Sequence, residues 1–563
     1  MYNYIILLIL FSNLVSQIFI DFTEESGTEY TYPHYNMVLG AGVTIVDINN
    51  DGLDDILSPT YIGENIKLFI NQGDLTFVDM AEFYGIADES ESKQALVADY
   101  NNDGFNDIYI INFNDQSKLY KNINNEYFEN VTTSSGLSLY PLSSRGGTWF
   151  DYDKDGFLDL FVINYYYEEL NILYKNEGDG TFIDVTDIAG VGGNYEKNPL
   201  VVSTFDYDND GWVDIYIGND RAQGNYLYKN MEGNSFIDVS LESGAGVFTH
   251  SMAIALYDYE NDNDLDIYIT NIDDGNNFLK NNGNGTFIEV GNELGLAVNR
   301  ITWGATFFDI DNDGLKDLYV ASACDEIISI CDEAPLSNND VLFKLKSDWS
   351  FIDISPESGF EQNYYSYGSA TGDLNNDGCN DLYVLHESTT NILYMNQYVD
   401  LYEVNNNWIK IKLEGTESNY NGIGSRIFLY SEQHNLMEEV TCGISYQSQD
   451  SYRLNFGVGE DEIIDSVIVV WPSGIVDNLY NLEVNQEIII IEDHGLACGA
   501  TGDLNGDGGW NVLDVVTLAN CVLAENCADL ENGCAGDLNQ DGGWNVLDIV
   551  TLANCVLAEN CSG

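Results

Sequence analysis

The chain has 563 residues, with 19 Lys+Arg against 93 Asp+Glu and a formal net charge of −74. Such a field repels nucleic acid and anionic membrane surfaces, which excludes both as partners. A hydrophobic share of 44% with 13% aromatics excludes a disordered acidic tail and supplies material for a real core.

In chain order, residues 5–16 (IILLILFSNLVS) form a short apolar run ending in small residues. That is signal-peptide length and too short for a spanning helix, so residues 1–16 are expected to be an export signal cleaved near Ser16. No later segment reaches transmembrane length, and no membrane insertion is expected. Six of the ten cysteines fall in the last 66 residues, which suits an oxidising, secreted or cell-surface location.

Over residues 17–404 a nonapeptide recurs seven times: DINNDGLDD (47–55), DYNNDGFND (99–107), DYDKDGFLD (151–159), DYDNDGWVD (206–214), DYENDNDLD (258–266), DIDNDGLKD (309–317) and DLNNDGCND (373–381). The starts lie 52, 52, 55, 52, 51 and 64 residues apart, the signature of a repeat architecture. Oxygen side chains at positions 1, 3, 5 and 9 around a tight turn at position 6 suit a calcium ion, which takes about 6–8 oxygen ligands. The candidate ligands are Asp47, Asn49, Asp51 and Asp55; Asp99, Asn101, Asp103 and Asp107; Asp151, Asp153, Asp155 and Asp159. They continue with Asp206, Asp208, Asp210 and Asp214; Asp258, Glu260, Asp262 and Asp266; Asp309, Asp311, Asp313 and Asp317; Asp373, Asn375, Asp377 and Asp381. Without a cation each loop holds three or four carboxyl or amide groups in mutual repulsion.

Around each loop the pattern predicts four short strands. A strand with small residues (WGATFFD, 303–309) enters the loop and a second leaves it (DLYVA, 317–321). A third follows (NYLYKN, 225–230), then a Gly/Asn turn and a fourth (TFIDVT, 181–186). After the seventh loop the fourth-strand pattern degrades to LYEVNN (401–406), while a good copy, IFIDFTEESG, stands at 18–27. The N-terminal strand is therefore expected to complete the last blade and close a seven-bladed ring, leaving no open edge in it. The loops match FG-GAP/VCBS repeats position by position, and residues 18–404 resemble integrin-α-like propellers. That resemblance implies a calcium-stabilised β-propeller acting as a platform for an extracellular protein or glycan. The longest interval carries ACDEIISICDEAPLSNND (323–340), where Cys324 and Cys331 are spaced for a small disulfide.

From about residue 405 the repeat stops, and 405–493 reads as a smaller β-domain. Its strands are WIKIKLEG, SRIFLY, LMEEVTCG, YRLNFGVG, DSVIVVWPSG and EIIIIED. NGIGSRIFLY (421–430), SYQSQDSYRLNFGVG (445–459) and DSVIVVWPSG (465–474) are similar to the ASPIC/UnbV module. That module commonly follows FG-GAP repeats in proteins resembling cartilage acidic protein. Gly422, Gly424, Gly457 and Gly459 are read as turn residues.

The tail, 498–563, is a duplication: GDLNGDGGWNVLDVVTLANCVLAENC (502–527) and GDLNQDGGWNVLDIVTLANCVLAENC (536–561). Each copy opens with a 12-residue loop of oxygen ligands and continues as an apolar helix. The ligands are Asp503, Asn505, Asp507, Asn511 and Asp514, then Asp537, Asn539, Asp541, Asn545 and Asp548. This resembles a small α-helical type I dockerin, which implies two calcium ions beyond the propeller's seven and a cohesin-like partner. Position 8 carries Trp510 and Trp544 where an aliphatic residue is usual. The recognition pair of such modules, often Ser/Thr, is here Val512–Leu513 and Val546–Leu547, implying a more hydrophobic partner surface.

No catalytic constellation is found. The five histidines (34, 250, 386, 434, 494) are isolated, and no nucleophile elbow, phosphate loop or H-E-x-x-H is present. The expectation is a mainly β, exported calcium-binding adhesion or display protein without enzymatic activity. The alternative is a carbohydrate-active enzyme, a polysaccharide hydrolase or lyase, recruited through the tail.

Overall fold

The computed structural model describes residues 17–33, 40–166, 169–272, 275–298, 300–323, 339–360, 364–496, 512–524 and 546–558. The expected export signal and Cys324 and Cys331 lie outside these residues. So do the tail ligands at 503–511 and 537–545.

Each acidic nonapeptide forms the turn between the first two strands of a four-strand antiparallel sheet. The register repeats: Val46 pairs with Asp55, Ala98 with Asp107, Phe150 with Asp159, Phe205 with Asp214, Tyr257 with Asp266, Phe308 with Asp317 and Gly372 with Asp381. Sheets 2 and 3 are also joined to each other through Leu142–Asp115 and Ser143–Phe113 pairing. The entering strands are Thr44–Val46, Ser92–Ala98, Leu142–Phe150, Pro199–Phe205, Ile254–Tyr257, Thr302–Phe308 and Tyr365–Gly372. They lie side by side in cyclic order, the last packing on the first. Small residues permit that approach: a Cβ on Gly304 would stand 2.4 Å from the Tyr367 carbonyl oxygen, and one on Gly368 2.5 Å from that of Ala41.

The seventh sheet takes its fourth strand from the N-terminus. Phe19 pairs with Asn396, Ile20 with Met395 and Asp21 with Tyr394. Residues 401–406 do not supply it; the helix Tyr398–Tyr402 ends there instead. Phe19 is buried and stacks on Phe360 at 5.1 Å, so apolar burial holds the added strand. Apolar clusters fill the gaps between neighbours: Phe150, Phe161, Val202 and Ile215 between sheets 3 and 4, and Tyr257, Tyr268, Phe307 and Leu318 between sheets 5 and 6. The architecture is mainly β and consistent with a propeller.

Residues 407–483 add further strands. Asn407–Glu414 pairs with Leu454–Gly459, and Arg426–Ser431 lies between Asn435–Glu439 and Ile463–Val470. Val476–Glu483 is an edge strand absent from the sequence reading, because its mostly exposed VDNLYNLE has no strong apolar alternation. These strands share one compact unit with the seven sheets, which runs to Glu487. The second unit, Ile488–Gly563, contains helices Val512–Ala524 and Val546–Ala558, which meet through Leu518, Cys521 and Leu552.

Between Glu439 and Leu454 the chain leaves its own sheets and runs along the first strands of all seven. At its tip Ile444 and Ser448 exchange backbone hydrogen bonds of 2.9 and 3.1 Å, with Ser445 and Gln447 at positive φ. In sheet 1, Gln449 N–H donates to the Val43 carbonyl and Ile45 N–H to the Gln449 carbonyl, both at 3.0 Å. In sheet 2, the Gln449 amide bonds both backbone groups of Val97 at 2.9 Å. Thr148 (sheet 3) and Ser203 (sheet 4) donate hydroxyl hydrogen bonds to the carbonyls of Cys442 and Gly443. Ser445 N–H donates to the Ile254 carbonyl of sheet 5 at 2.7 Å, and its Oγ accepts from Ala305 N–H of sheet 6 at 3.0 Å. Asp450 Oδ1 accepts Thr371 N–H of sheet 7 at 2.7 Å.

Candidate metal-binding loops and their counter-ions

The loop geometry follows from two left-handed residues. Position 4 has φ between 52 and 60° in every copy, from Asn261 to Asn209, and Lys154 adopts it too, at 59°. Position 6 has φ of 83–90° in the six glycines and 69° at Asn263. Glycine and asparagine enter this region at least cost, which explains the N-x-G spacing. The turn directs backbone N–H groups inward. In the fourth loop Asp206 Oδ1 accepts from Asp210 N–H at 3.1 Å and Oδ2 from Gly211 N–H at 2.8 Å. Asp210 Oδ1 accepts from Trp212 N–H at 3.0 Å. Asp214 closes the loop, taking Tyr207 N–H at 3.2 Å and Asn230 N–H of the third strand at 2.6 Å.

The carboxylates at positions 1 and 9 are crowded and buried in every loop. Burial pushes Asp99 up to about 6 and Asp151 and Asp258 up to about 7. It holds the position-nine acids Asp55, Asp107, Asp159, Asp214, Asp266, Asp317 and Asp381 well above the usual carboxylate range. An arriving cation would reverse that cost. Carboxylate oxygens lie within 4.8 Å of one another in three sets: Asp151, Asp153 and Asp159; Asp206, Asp208 and Asp210; Asp309, Asp311 and Asp317. Asp153 Oδ1 and Asp208 Oδ1 are buried there without a hydrogen-bond donor. Hard oxygen donors with unfilled acceptors fit a calcium ion.

The structure adds a residue type that the sequence reading overlooked. In sheets 2 to 6 a third-strand lysine reaches the loop of its own sheet. Lys121 lies 3.0 Å from Asp103, Lys175 2.8 Å from Asp155 and Lys229 2.8 Å from Asp210. Lys280 pairs with Glu260, and Lys344 lies 2.7 Å from Asp311 and 3.1 Å from Asp313. The signal was present as a recurring lysine one residue before the position whose N–H binds the ninth acid.

Sheets 1 and 7 carry Ile70 and Met395 at that place. Their loops receive cations from residues beyond 405. Arg453 lies 2.8 Å from Asp47 Oδ2 and 3.1 Å from Asp54 Oδ1, and Lys410 lies 2.6 Å from Asp373 Oδ2. Both are buried, whereas Lys175 and Lys229 keep 23% of their side-chain surface exposed. Arg426 bonds Glu439 at 2.8 Å and also reaches the Asp206 carbonyl and Asn209 in the fourth loop. The same strands crowd the sixth loop, where a Cβ on Gly457 would fall 2.2 Å from Asp309 Oδ2.

In the tail, Val512, Leu513 and Val546 are 64, 62 and 66% exposed. Asp514, Leu547 and Asp548 lie on the two helices.

Three family models match the chain. The FG-GAP-like repeat matches residues 47–110, 99–162, 151–217, 206–269 and 258–320. ASPIC and UnbV matches 415–497, and the Dockerin type I domain matches 501–557. Cartilage acidic protein 1 of Xenopus tropicalis is 22% identical over 521 residues, covering 84% of this chain and 78% of that one. The Homo sapiens protein of the same name is 22% identical over 505 residues, covering 80% and 72%. A solved structure of BBS1N in complex with ARL6DN aligns at TM-score 0.41 and 10% identity over 68% of this chain and 97% of its own. That likeness is too distant to carry an argument.

Proposed function

We propose, for a chain that carries FG-GAP-like repeats, an ASPIC/UnbV segment and a Dockerin type I segment, an extracellular display role. Residues 17–404 act as a seven-bladed, calcium-stabilised propeller that binds a protein or glycan. Residues 498–563 dock the chain to a cohesin-type partner through Val512, Leu513, Val546 and Leu547.

The observation that carries the reading is the repeated loop with its inward carboxylates and the unfilled oxygens of Asp153 and Asp208. Calcium at such a loop would be held by the side chains at positions 1, 3 and 5, with the ninth acid closing the turn. Bound there, the ion supplies the charge that offsets carboxylate repulsion. The families matched are not catalytic ones, and the relatives that match carry no enzyme name.

The test uses the full chain immobilised in calcium or in EDTA and exposed to a purified cohesin module. Calcium-dependent capture supports the docking role. Equal binding in both conditions, or none in either, removes it. Release of reducing or unsaturated sugar from polysaccharide by the same preparation would replace the display reading with the enzymatic one.

A further inference from the structure

Near the end of every third strand stands a residue whose backbone N–H binds the ninth acid of its own loop, at 2.6–2.9 Å in all seven sheets. In six sheets it is a buried asparagine: Asn71, Asn122, Asn176, Asn230, Asn281 and Asn396. The side-chain amide of each spans two loops. It donates to the position-eight carbonyl of its own loop at 3.0–3.3 Å. It also donates to the position-two carbonyl of the preceding loop, at 2.8–3.0 Å in five sheets and 3.5 Å in sheet 2. Sheets 7 and 1 are joined in the same way, by Asn71 to the Leu374 carbonyl at 2.9 Å. Sheet 6 is the exception: it carries Leu345 there, which has no amide to reach loop 5.

Position four links the loops in the other direction. Asn50 donates to the Gly104 carbonyl at 2.6 Å, Asn102 to the Gly156 carbonyl at 2.8 Å and Asn312 to the Gly378 carbonyl at 3.0 Å. Asn209 donates to Asp264 Oδ1 at 2.6 Å. Among the described residues, Asn261 of loop 5 makes no such bond to loop 6. That junction has Lys316 N–H on the Tyr257 phenol at 2.9 Å, a contact that ends on a strand side chain and touches no carbonyl of loop 5.

We infer that these amides couple the loops, so that filling one with calcium favours filling the next. The coupled array begins at loop 6, runs through loops 7 and 1 and stops at loop 5. The inference rests on the calcium reading above. A cation that draws in the side chains of one loop also fixes the peptides at its positions two and six, and the neighbours' amides hold those peptides. The third-strand amides are buried, so no water replaces a carbonyl that turns away, and one ordered loop orders the next. Coupling of this kind is reciprocal. It needs a primary amide, which carries two N–H donors where a carboxylate or leucine carries none.

The test follows amide hydrogen exchange of each loop in the full chain across a calcium titration, which gives every loop its own midpoint. Asp262→Ala removes a ligand of loop 5. The midpoint of loop 4 should then rise about fivefold or more, while that of loop 6 stays unchanged. In an Asn209→Gly/Asn281→Leu background, which removes both links between loops 4 and 5, the same Asp262→Ala should no longer move loop 4. Asp262→Asn keeps the acceptor for the Asp264 N–H and takes its place if the alanine variant does not fold. Equal shifts in loops 4 and 6, a shift in loop 6 alone, or none in either overturns the coupling and leaves the calcium reading standing. Exchange that ignores calcium in every loop of the parent overturns that reading, and the coupling with it.

Discussion

The Gln449 side chain bonds both the N–H and the carbonyl of Val97 at 2.9 Å, across 352 residues of sequence. A primary amide matches a peptide edge in both donor and acceptor, which no carboxylate or alcohol of that size does. Gln449→Leu should leave the buried Val97 N–H unpaired, at about 1–3 kcal/mol, while the Val97 carbonyl keeps the Tyr452 hydroxyl at 2.7 Å. Denaturant unfolding measures the loss. An unchanged midpoint would mean that the segment does not sit against Val97 in solution.

Two glycines separate close approach from backbone strain. A Cβ on Gly42 would stand 1.6 Å from the Gln447 carbonyl oxygen, whereas one on Gly52, at φ 90°, meets nothing within 4 Å. Gly52→Ala should therefore cost roughly 1–2 kcal/mol, the penalty of a left-handed L-residue. Gly42→Ala should cost more than about 4 kcal/mol or abolish soluble expression. Comparable melting temperatures for the two variants would contradict this packing.

The lysines give the calcium reading a two-sided test. Asp208→Ala should lower the melting temperature in calcium and change it much less in EDTA, because its ligand value is realised with the ion bound. Lys229→Met should do the reverse, losing stability in EDTA, where the Lys229 ammonium is in direct contact with both Asp208 and Asp210. Thermal unfolding of both variants with and without calcium decides. Parallel shifts in the two buffers would show that no ion enters the loop.

Asp340 provides a pH dependence away from the loops. It is buried, accepts from Tyr319 Oη at 2.6 Å, Ser366 Oγ at 2.9 Å and Ser322 N–H at 2.7 Å, and burial pushes it up to about 7. The folded state thus holds this proton more tightly than the unfolded chain. Its stabilisation is complete below about pH 4 and is lost as pH rises through about 7. Amides occupy the comparable place beside Tyr216 and Tyr268, where Asn225 and Asn276 donate to the phenol oxygens at 3.0 and 2.7 Å. Asp340→Asn should therefore be more stable than the parent at pH 8, by about 1–4 kcal/mol. It should also lose the rise in melting temperature that the parent gains between pH 8 and pH 6. A variant less stable than the parent at pH 8 would refute the assignment.

The repeat, the turn residues and the donation of the N-terminal strand were legible in the sequence because each depends on local chemistry. Asn209 and Gly211 set the turn within three residues, and IFIDFT advertises a fourth strand wherever it stands. The strand Val476–Glu483 was not legible, since an edge strand needs little apolar signal. Nor was the task of SYQSQDSYRL: its polar residues carry no apolar period, yet Ser448 and Gln449 are fully buried. Polar side chains become interior when strand backbones elsewhere offer them partners, and no window of sequence contains those partners.

The sequence by itself determined the period, the acidic loops and the tail duplication, because each is a local pattern of oxygen donors, turn formers and apolar spacing. Only the tertiary structure decided which charges answer those loops. Five come from third strands of the same sheets; two, Arg453 and Lys410, come from chain that follows the last repeat. Coulomb attraction depends on distance in space and on exclusion of water, and neither quantity is ordered along the chain.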